Sequence, residues 1–495
     1  MKTKLLSGIL LLSLLASMTA CGETAASPVD SEPSGDPEKE TEAVTEQIIL
    51  PDLPETDWGG RDFYVLGRVN NTYTQFNNFE VYSAGEDGEV VNDAVFRRNT
   101  TLEERYNVVI SQELVDYPEN TLPKLVRAGD DTFDLAFCEI GSIGALGEQG
   151  IYYNLNDVKY IDFTKPWWNP DVNAAVAIKD KLFYTSSDFS LRDKSRAYIM
   201  TYNPDLAANY DLPDLIETVR AGKWTLDVME EYCRIVSGDV NGDGVMNEND
   251  QYGLTMDSYN SFATFMFSAG VRMIENDKNN VPQLVLNSER TVNAVDRVMS
   301  LTCDTNIALF CDDFMGRVAG DHWSVSGDVF NAGRALFGTC FPHSLKNKSE
   351  KCDFNFLVAP FPKYDESQAK YLTMADIFVM LFGIPASVKD PDFSGFMLEA
   401  LSAASTDTTL HAYYEVTCKT KYAYNEASAE MLDLIFDGIV YDEAILFKSG
   451  FGLYDLFGVT LPKAKKNNFV SEYTKLESKA QKALDKLLEA VDAIE

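Results

Sequence analysis

The stretch NVVISQELVDYPENTLPKLVRAGDDTFDLAFCEIG, residues 107–141, carries the fold decision. NVVISQELV (107–115) is apolar and β-branched, as a buried strand is. ENTLPKLVRAGDD spaces its apolar residues as a helix does and closes at Gly129. FDLAFCEIG (133–141) is a second apolar run, ending in Glu139 and a glycine. Upstream, RDFYVLGRV (61–69) reads as another strand, and VVNDAVFRRNTTLEERY follows it with helical spacing. Strand, helix, strand, helix, strand predicts an α/β fold, a mixed, mainly parallel sheet flanked by helices. Ligands of such sheets sit at the carboxyl ends of the strands, which makes Glu139 a candidate cleft residue.

The pattern continues downstream. DKLFYTSSD and SRAYIMTYN alternate as strands do, and NPDLAANYDLPDLIETVRAGKWTLDVMEEYCRIVS reads as helix on both sides of a turn. RALFGTCFPHS (334–344), FNFLVAPFPK (354–363) and DIFVMLFGIPAS (376–387) are apolar strands punctuated by proline. Helices close the chain, from FSGFMLEALSAAS to EYTKLESKAQKALDKLLEAVDAIE. A chain of 495 residues holds two or three ordinary domains with a large core.

Composition narrows the function. Lys plus Arg is 42 and Asp plus Glu is 77, a net charge of −35. Such a surface repels nucleic acid and anionic lipid, so no nucleic-acid partner is expected. Among the 8 Cys no C-x-x-C spacing occurs, and the 3 His lie in no metal-ligand spacing. Neither a zinc site, a disulfide framework nor a histidine-based nucleophile is signalled. Cysteines of this kind read as small buried hydrophobes.

The N-terminus reads as an export signal over residues 1–21. MKTK is basic, LLSGILLLSLLASMTA is apolar but shorter than a bilayer span, and small residues precede Cys21. MTAC looks like a lipobox, with Cys21 the lipidated residue. Met18 departs from the usual Leu, and an ordinary signal peptide cut near Ala20 is the alternative. Residues 22–55 read as a disordered tether, because GETAASPVDSEPSGDPEKETEAVTEQ has almost nothing apolar to bury. A lipid-anchored protein facing the extracellular side is expected.

DVNGDGVMNEND (239–250) matches a calcium loop. Asp239, Asn241 and Asp243 offer side-chain oxygens, Val245 a carbonyl, Gly244 the sharp turn, and Asp250 stands at position 12. The other reading is a turn that merely leads into the strand YGL (252–254). In either case the job is structural, and Ca2+ is the only cofactor expected.

Several stretches together resemble the extracellular solute-binding lipoproteins of ABC importers, of the oligosaccharide type related to maltose-binding protein. In order, they are VVNDAVFRRNTTLEERYNVVIS, LPKLVRAGDDTFDLAFC, GALGEQGIYYNLNDV, DKLFYTSSD with YIMTYNPDLAANYDL, KWTLDVMEEYCRIV, DVFNAGRALFGTC, then FLVAPFPK and FGIPASVKDPD. They span roughly residues 60–460. Thr225 after Trp224 reverses the usual order. The resemblance implies a two-lobed periplasmic-binding-protein fold of type II, joined by hinge crossovers. One lobe would comprise 56–195 and 358–412, the other 196–357 and 413–495. It further implies a non-catalytic monomer that closes on a carbohydrate and delivers it to ABC permease subunits.

Sugars bind by laying an apolar face on an aromatic ring while polar groups hold the hydroxyls. Trp167 and Trp168, adjacent in TKPWWNPDV, are candidates, with core packing as the alternative; Trp323 in DHWSVSGD is similar. By resemblance, Asp188 and Arg192 belong to the cleft floor, Tyr259 and Phe262 to an aromatic cluster, and Phe341 and His343 to a strand end. Asp376, opening the strand DIFVMLFGIPAS, is a further candidate. A surface glycoside hydrolase using paired carboxylates and a binding protein for peptide are the competing readings.

Overall fold

Strand Arg61–Arg68 forms the middle of the first sheet. It pairs in parallel with Val108–Val115 and with Leu135–Glu139, while Met380–Gly383 adds an antiparallel edge beside Leu135–Glu139. Phe63, Val65, Leu66, Leu135 and Phe137 are fully buried, because helices cover both faces. Helix Val90–Tyr106 starts where the Glu89 carboxylate accepts from the amides of Val91 and Asn92, and stops at left-handed Asn107. This computed structural model describes residues 48–318, 321–422 and 425–494. The export signal, Cys21 and residues 22–47 of the tether lie outside the described residues.

The second sheet runs in the order Leu357–Ala359, Ile199–Tyr202, Ala335–Cys340, Tyr252–Met256, Ala308–Phe310. Tyr252–Met256 is parallel to both of its neighbours, and Ile199–Tyr202 is antiparallel to both of its own. Both sheets are thus mixed, with helices against them. Thr225 caps helix Leu226–Val236, which buries Leu226, Met229 and Cys233. Gly253 lets that helix approach, since a Cβ there would lie 2.2 Å from Cys233 Cβ.

Two crossing segments run antiparallel between the lobes. Tyr198 N donates to Met374 O (3.2 Å), Asp376 N donates to Arg196 O (3.1 Å), and Ala197 bridges Ala375. A third crossing continues helix Pro391–Ser405 through the π-helical segments Thr406–Leu410 and Ala412–Tyr422.

Several boundaries differ from those expected. The return to the first lobe lies after Met374, because Leu357–Ala359 pairs with Ile199–Tyr202 in the second sheet. The tether is shorter than 22–55, because Ile48, Leu50 and Leu53 pack on the first lobe's core. DKLFYTSSD forms only isolated pairings, such as Thr185 with Phe382, and no regular strand. Nor does 413–495 keep to one lobe. Gly144 of helix Ile140–Gly147 admits the Leu446 carbonyl, 2.7 Å from where a Cβ would stand, so helix Glu443–Leu446 packs on the first lobe.

Candidate functional site

A cleft of about 610 Å³ lies between the sheets, at the ends where their strands run out. From the first lobe, the loop after Arg68 brings Tyr73, Gln75 and Phe76, and Phe378 precedes strand Met380–Gly383. From the second lobe, Asp257 and Ser258 follow Met256, Phe341 follows Cys340, and Trp323 comes from the 3-10 turn His322–Ser324, after strand Ala308–Phe310. Tyr198, Asn260 and Asp321 complete that wall. Another hollow, of about 690 Å³ around Arg61, Tyr64 and Asp134, is lined by the first lobe alone and lies towards the opposite ends of its strands. Only the first of the two is faced by both lobes and several rings.

Arg196 and Asp376 form the floor, one on each antiparallel crossing. Arg196 Nε donates to Asp376 Oδ2 at 2.9 Å, and Nη2 donates to the same oxygen. The guanidinium carbon lies 4.7 Å from the Phe76 ring, 4.8 Å from Phe341 and 5.5 Å from Phe378. Rings from both lobes therefore bracket one cation. Asp376 Oδ1 is buried and has no hydrogen-bond partner among the described residues. Asp257 accepts from Ser261 Oγ (2.6 Å) and Thr339 Oγ1 (2.9 Å), and burial pushes its carboxyl up to about 6. Such a floor and such walls offer acceptors for hydroxyl donors beside flat apolar faces.

Trp323, Phe341 and Asp376 line this cleft. His343 stacks on Phe341 at 5.4 Å and its Nδ1 meets Ser195 O at 2.9 Å, so it backs the ring from behind. Burial, then the charge of Arg196, lowers its pKa to about 3, which keeps the imidazole neutral. Arg192 is buried and works indirectly. Its Nη1 donates to Gln75 O (2.7 Å) and Asn77 O (3.2 Å), holding the loop that presents Phe76.

Other candidates lie elsewhere. Trp167 and Trp168 are core residues, 6 % and 2 % exposed, whose indoles donate to Glu399 at 3.2 and 2.9 Å. Phe262 is fully buried beside Phe457. Tyr259 is turned away, its hydroxyl donating to Asp313 at 2.8 Å. Asp188 is half-buried and accepts from Thr406 Oγ1 at 2.7 Å, tying the segment before the first crossing to the third. Glu139 pairs with Arg68 beneath Phe76. Among the cleft residues missing from the sequence reading are Tyr73, Phe76, Tyr198, Arg196, Asp257 and Phe378. Most flank a strand at its cleft end, which is the signal that could have found them.

The loop 239–250 folds on its own hydrogen bonds. Asp239 accepts from the amides of Gly242 (2.6 Å) and Gly244 (2.7 Å), and buried Asp250 from those of Val240 (3.2 Å) and Asn247 (2.9 Å). Asn241 and Asp243 accept from the amides two residues on, that of Val245 among them. Among the described residues no group of three or more His, Cys, Asp or Glu is placed to hold a metal. The side-chain oxygens of Asp239, Asn241, Asp243 and Asp250 are thus each engaged by backbone amides.

No protein-family model matches the chain, and no curated protein does. Solved structures do. A cyclo/maltodextrin-binding protein complexed with maltotetraose is similar over 89 % of this chain and 98 % of its own, at 14 % identity and a TM-score of 0.55. A sugar transporter from Rhizobium etli in an open conformation is similar over 88 % and 100 %, at 13 % identity and 0.55. An ABC substrate-binding protein from Listeria monocytogenes in complex with cycloalternan covers 88 % and 99 %, at 12 % identity and 0.50. The chain has the two-lobed α/β fold of these binding proteins.

Proposed function

We propose that this protein captures an oligosaccharide between its lobes and delivers it to the permease of an ABC transporter. The observation that carries the reading is the cleft itself. Rings from both lobes meet around the Arg196–Asp376 pair, which lies on the crossings about which the lobes would turn. Closure would bring Phe76 and Phe378 towards Phe341 and Trp323 on the two faces of a sugar. Ligand affinity for the closed state alone shifts the lobe equilibrium, and no chemical step is needed. The solved proteins named above, several with sugars in their descriptions, support the same reading.

The protein is further proposed to be a monomer tethered outside the cell by a lipidated Cys21. Ca2+ is proposed as a structural ligand of the loop 239–250. Melting temperature measured against a panel of plant, host and bacterial oligosaccharides tests the main reading. A sugar that raises it without being consumed supports capture. Shifts with peptides and none with sugars would sink the carbohydrate assignment, and consumption of the sugar would favour a hydrolase.

A further inference from the structure

A side pocket of about 260 Å³ opens off the cleft on the second lobe. Asp257, Trp323 and Phe341 line both, so the two adjoin along a shared wall. Beyond that wall the character changes. The rings give way to hydroxyl and amide groups, including Ser326, Asn331 and Ser344, and to Lys348 and Lys351.

Lys348 is the unusual member. The residue as a whole is 9 % exposed, its Nζ is not sealed from solvent, and among the described residues that Nζ has no hydrogen bond or ion pair. What it has is the face of Phe330, 4.3 Å from Nζ. An ammonium is a donor only, and an anionic acceptor that meets it in a partly enclosed pocket makes a charge-assisted hydrogen bond. The ring face supplies a cation–π contact and leaves the N–H donors without an acceptor. The neighbouring thiols supply no counter-charge. Burial pushes Cys340 up to about 11 and raises Cys352 as well, so both are neutral near pH 7. Asp328 also lines the pocket but is exposed and makes no ion pair with Lys348, and Asp257 is turned to Ser261 and Thr339.

We propose that this pocket receives an anionic group of the captured glycan, a carboxylate or a sulfate, which pairs with Lys348. The substrate class is therefore an acidic oligosaccharide, its sugar rings on the aromatic cleft and its charge in the side pocket. This rests on the carbohydrate reading above. The net charge of −35 opposes an anion at long range, so discrimination comes from the short-range pair and not from steering.

The test is a glycan array with neutral, uronic, sialylated and sulfated members, probed with the full protein and with Lys348→Met. Matched pairs in solution follow: 3′-sialyllactose with lactose, tetragalacturonate with its methyl ester, and a sulfated chondroitin fragment with the unsulfated one. The expected result is a preference of about tenfold or more for an acidic member, lost in Lys348→Met and kept in Lys348→Arg. Lys348→Met should melt no lower than the parent, which separates a ligand-facing lysine from a structural one. Hits confined to carboxylates or to sulfates identify the anion. Neutral members bound as tightly as acidic ones, or a preference unchanged in Lys348→Met, would overturn the inference and leave oligosaccharide capture standing. Binding of no glycan at all would overturn both.

Discussion

Arg196 and Asp376 hold each other across the two antiparallel crossings, Nε to Oδ2 at 2.9 Å, with their side chains 5 % and 1 % exposed. The pair is at once a strap between the lobes' connections and the floor of the cleft between the sheets. Removing one partner of a buried pair strands the other charge. Asp376→Ala should therefore cost about 3–5 kcal/mol of unfolding free energy, read by urea denaturation. The double replacement Arg196→Met, Asp376→Leu should recover most of that loss while still failing to bind sugar. A double variant that binds as the parent does would remove both residues from the site.

Aromatic residues separate by role. Trp323 is 46 % exposed in the cleft, and Trp323→Ala should weaken ligand binding about tenfold with a stability change within about 0.5 kcal/mol. Trp168→Ala should do the reverse, costing about 3–5 kcal/mol through the cavity it leaves in the first lobe. Titration calorimetry and denaturant melts on both variants check the contrast. A Trp168→Ala variant that stays stable and loses its sugar would return the tryptophan pair to the binding site.

Stability should fall as the pH rises from about 4.5 to about 7. Burial holds Glu399 up to about 7, and Asp134, Asp188 and Asp442 up to about 6, each above its ordinary value. The folded state thus keeps protons that the unfolded chain has lost. Their stabilisation is complete below the unfolded values and is gone above the folded ones. Glu399→Gln should flatten the upper part of this profile between about pH 6 and 7, read as melting temperature against pH. An unchanged slope would mean that Glu399 does not titrate there.

The loop 239–250 gives a graded expectation. Asp250 is fully buried and its two oxygens accept from Val240 and Asn247, so Asp250→Ala should cost about 1–3 kcal/mol even in chelator. The ion must compete with these amides. It is therefore expected to raise the melting temperature only at roughly millimolar concentration, and not at all in Asp239→Ala. Identical melts in calcium and in chelator would leave the loop as a hydrogen-bonded turn.

Much of the fold was legible because its signals are local. The runs read as strands at 61–69 and 107–115, and the helical spacing of VVNDAVFRRNTTLEERY, match Arg61–Arg68, Val108–Val115 and Val90–Tyr106. FNFLVAPFPK was legible as a strand but not as a member of the second sheet. Pairing Leu357 with Tyr202 is a choice between distant partners that no short window contains. DKLFYTSSD alternates as a strand does, yet finds no continuous edge to pair with.

The site divides along the same line. From the sequence alone came the α/β layering, the expectation of ligand at the carboxyl ends of strands, and three cleft residues, Trp323, Phe341 and Asp376. Hydrophobic period, turn residues and strand ends are written within a few neighbouring positions. Only the tertiary structure decided which polar and aromatic groups face one another. Trp167 is core and not cleft because Glu399, 232 residues away, accepts its indole N–H. Arg196 is a cleft residue because Asp376, 180 residues away, and rings from both lobes meet there. Such contacts are decided by packing and by where a buried charge finds its partner, and a linear sequence does not display those distances.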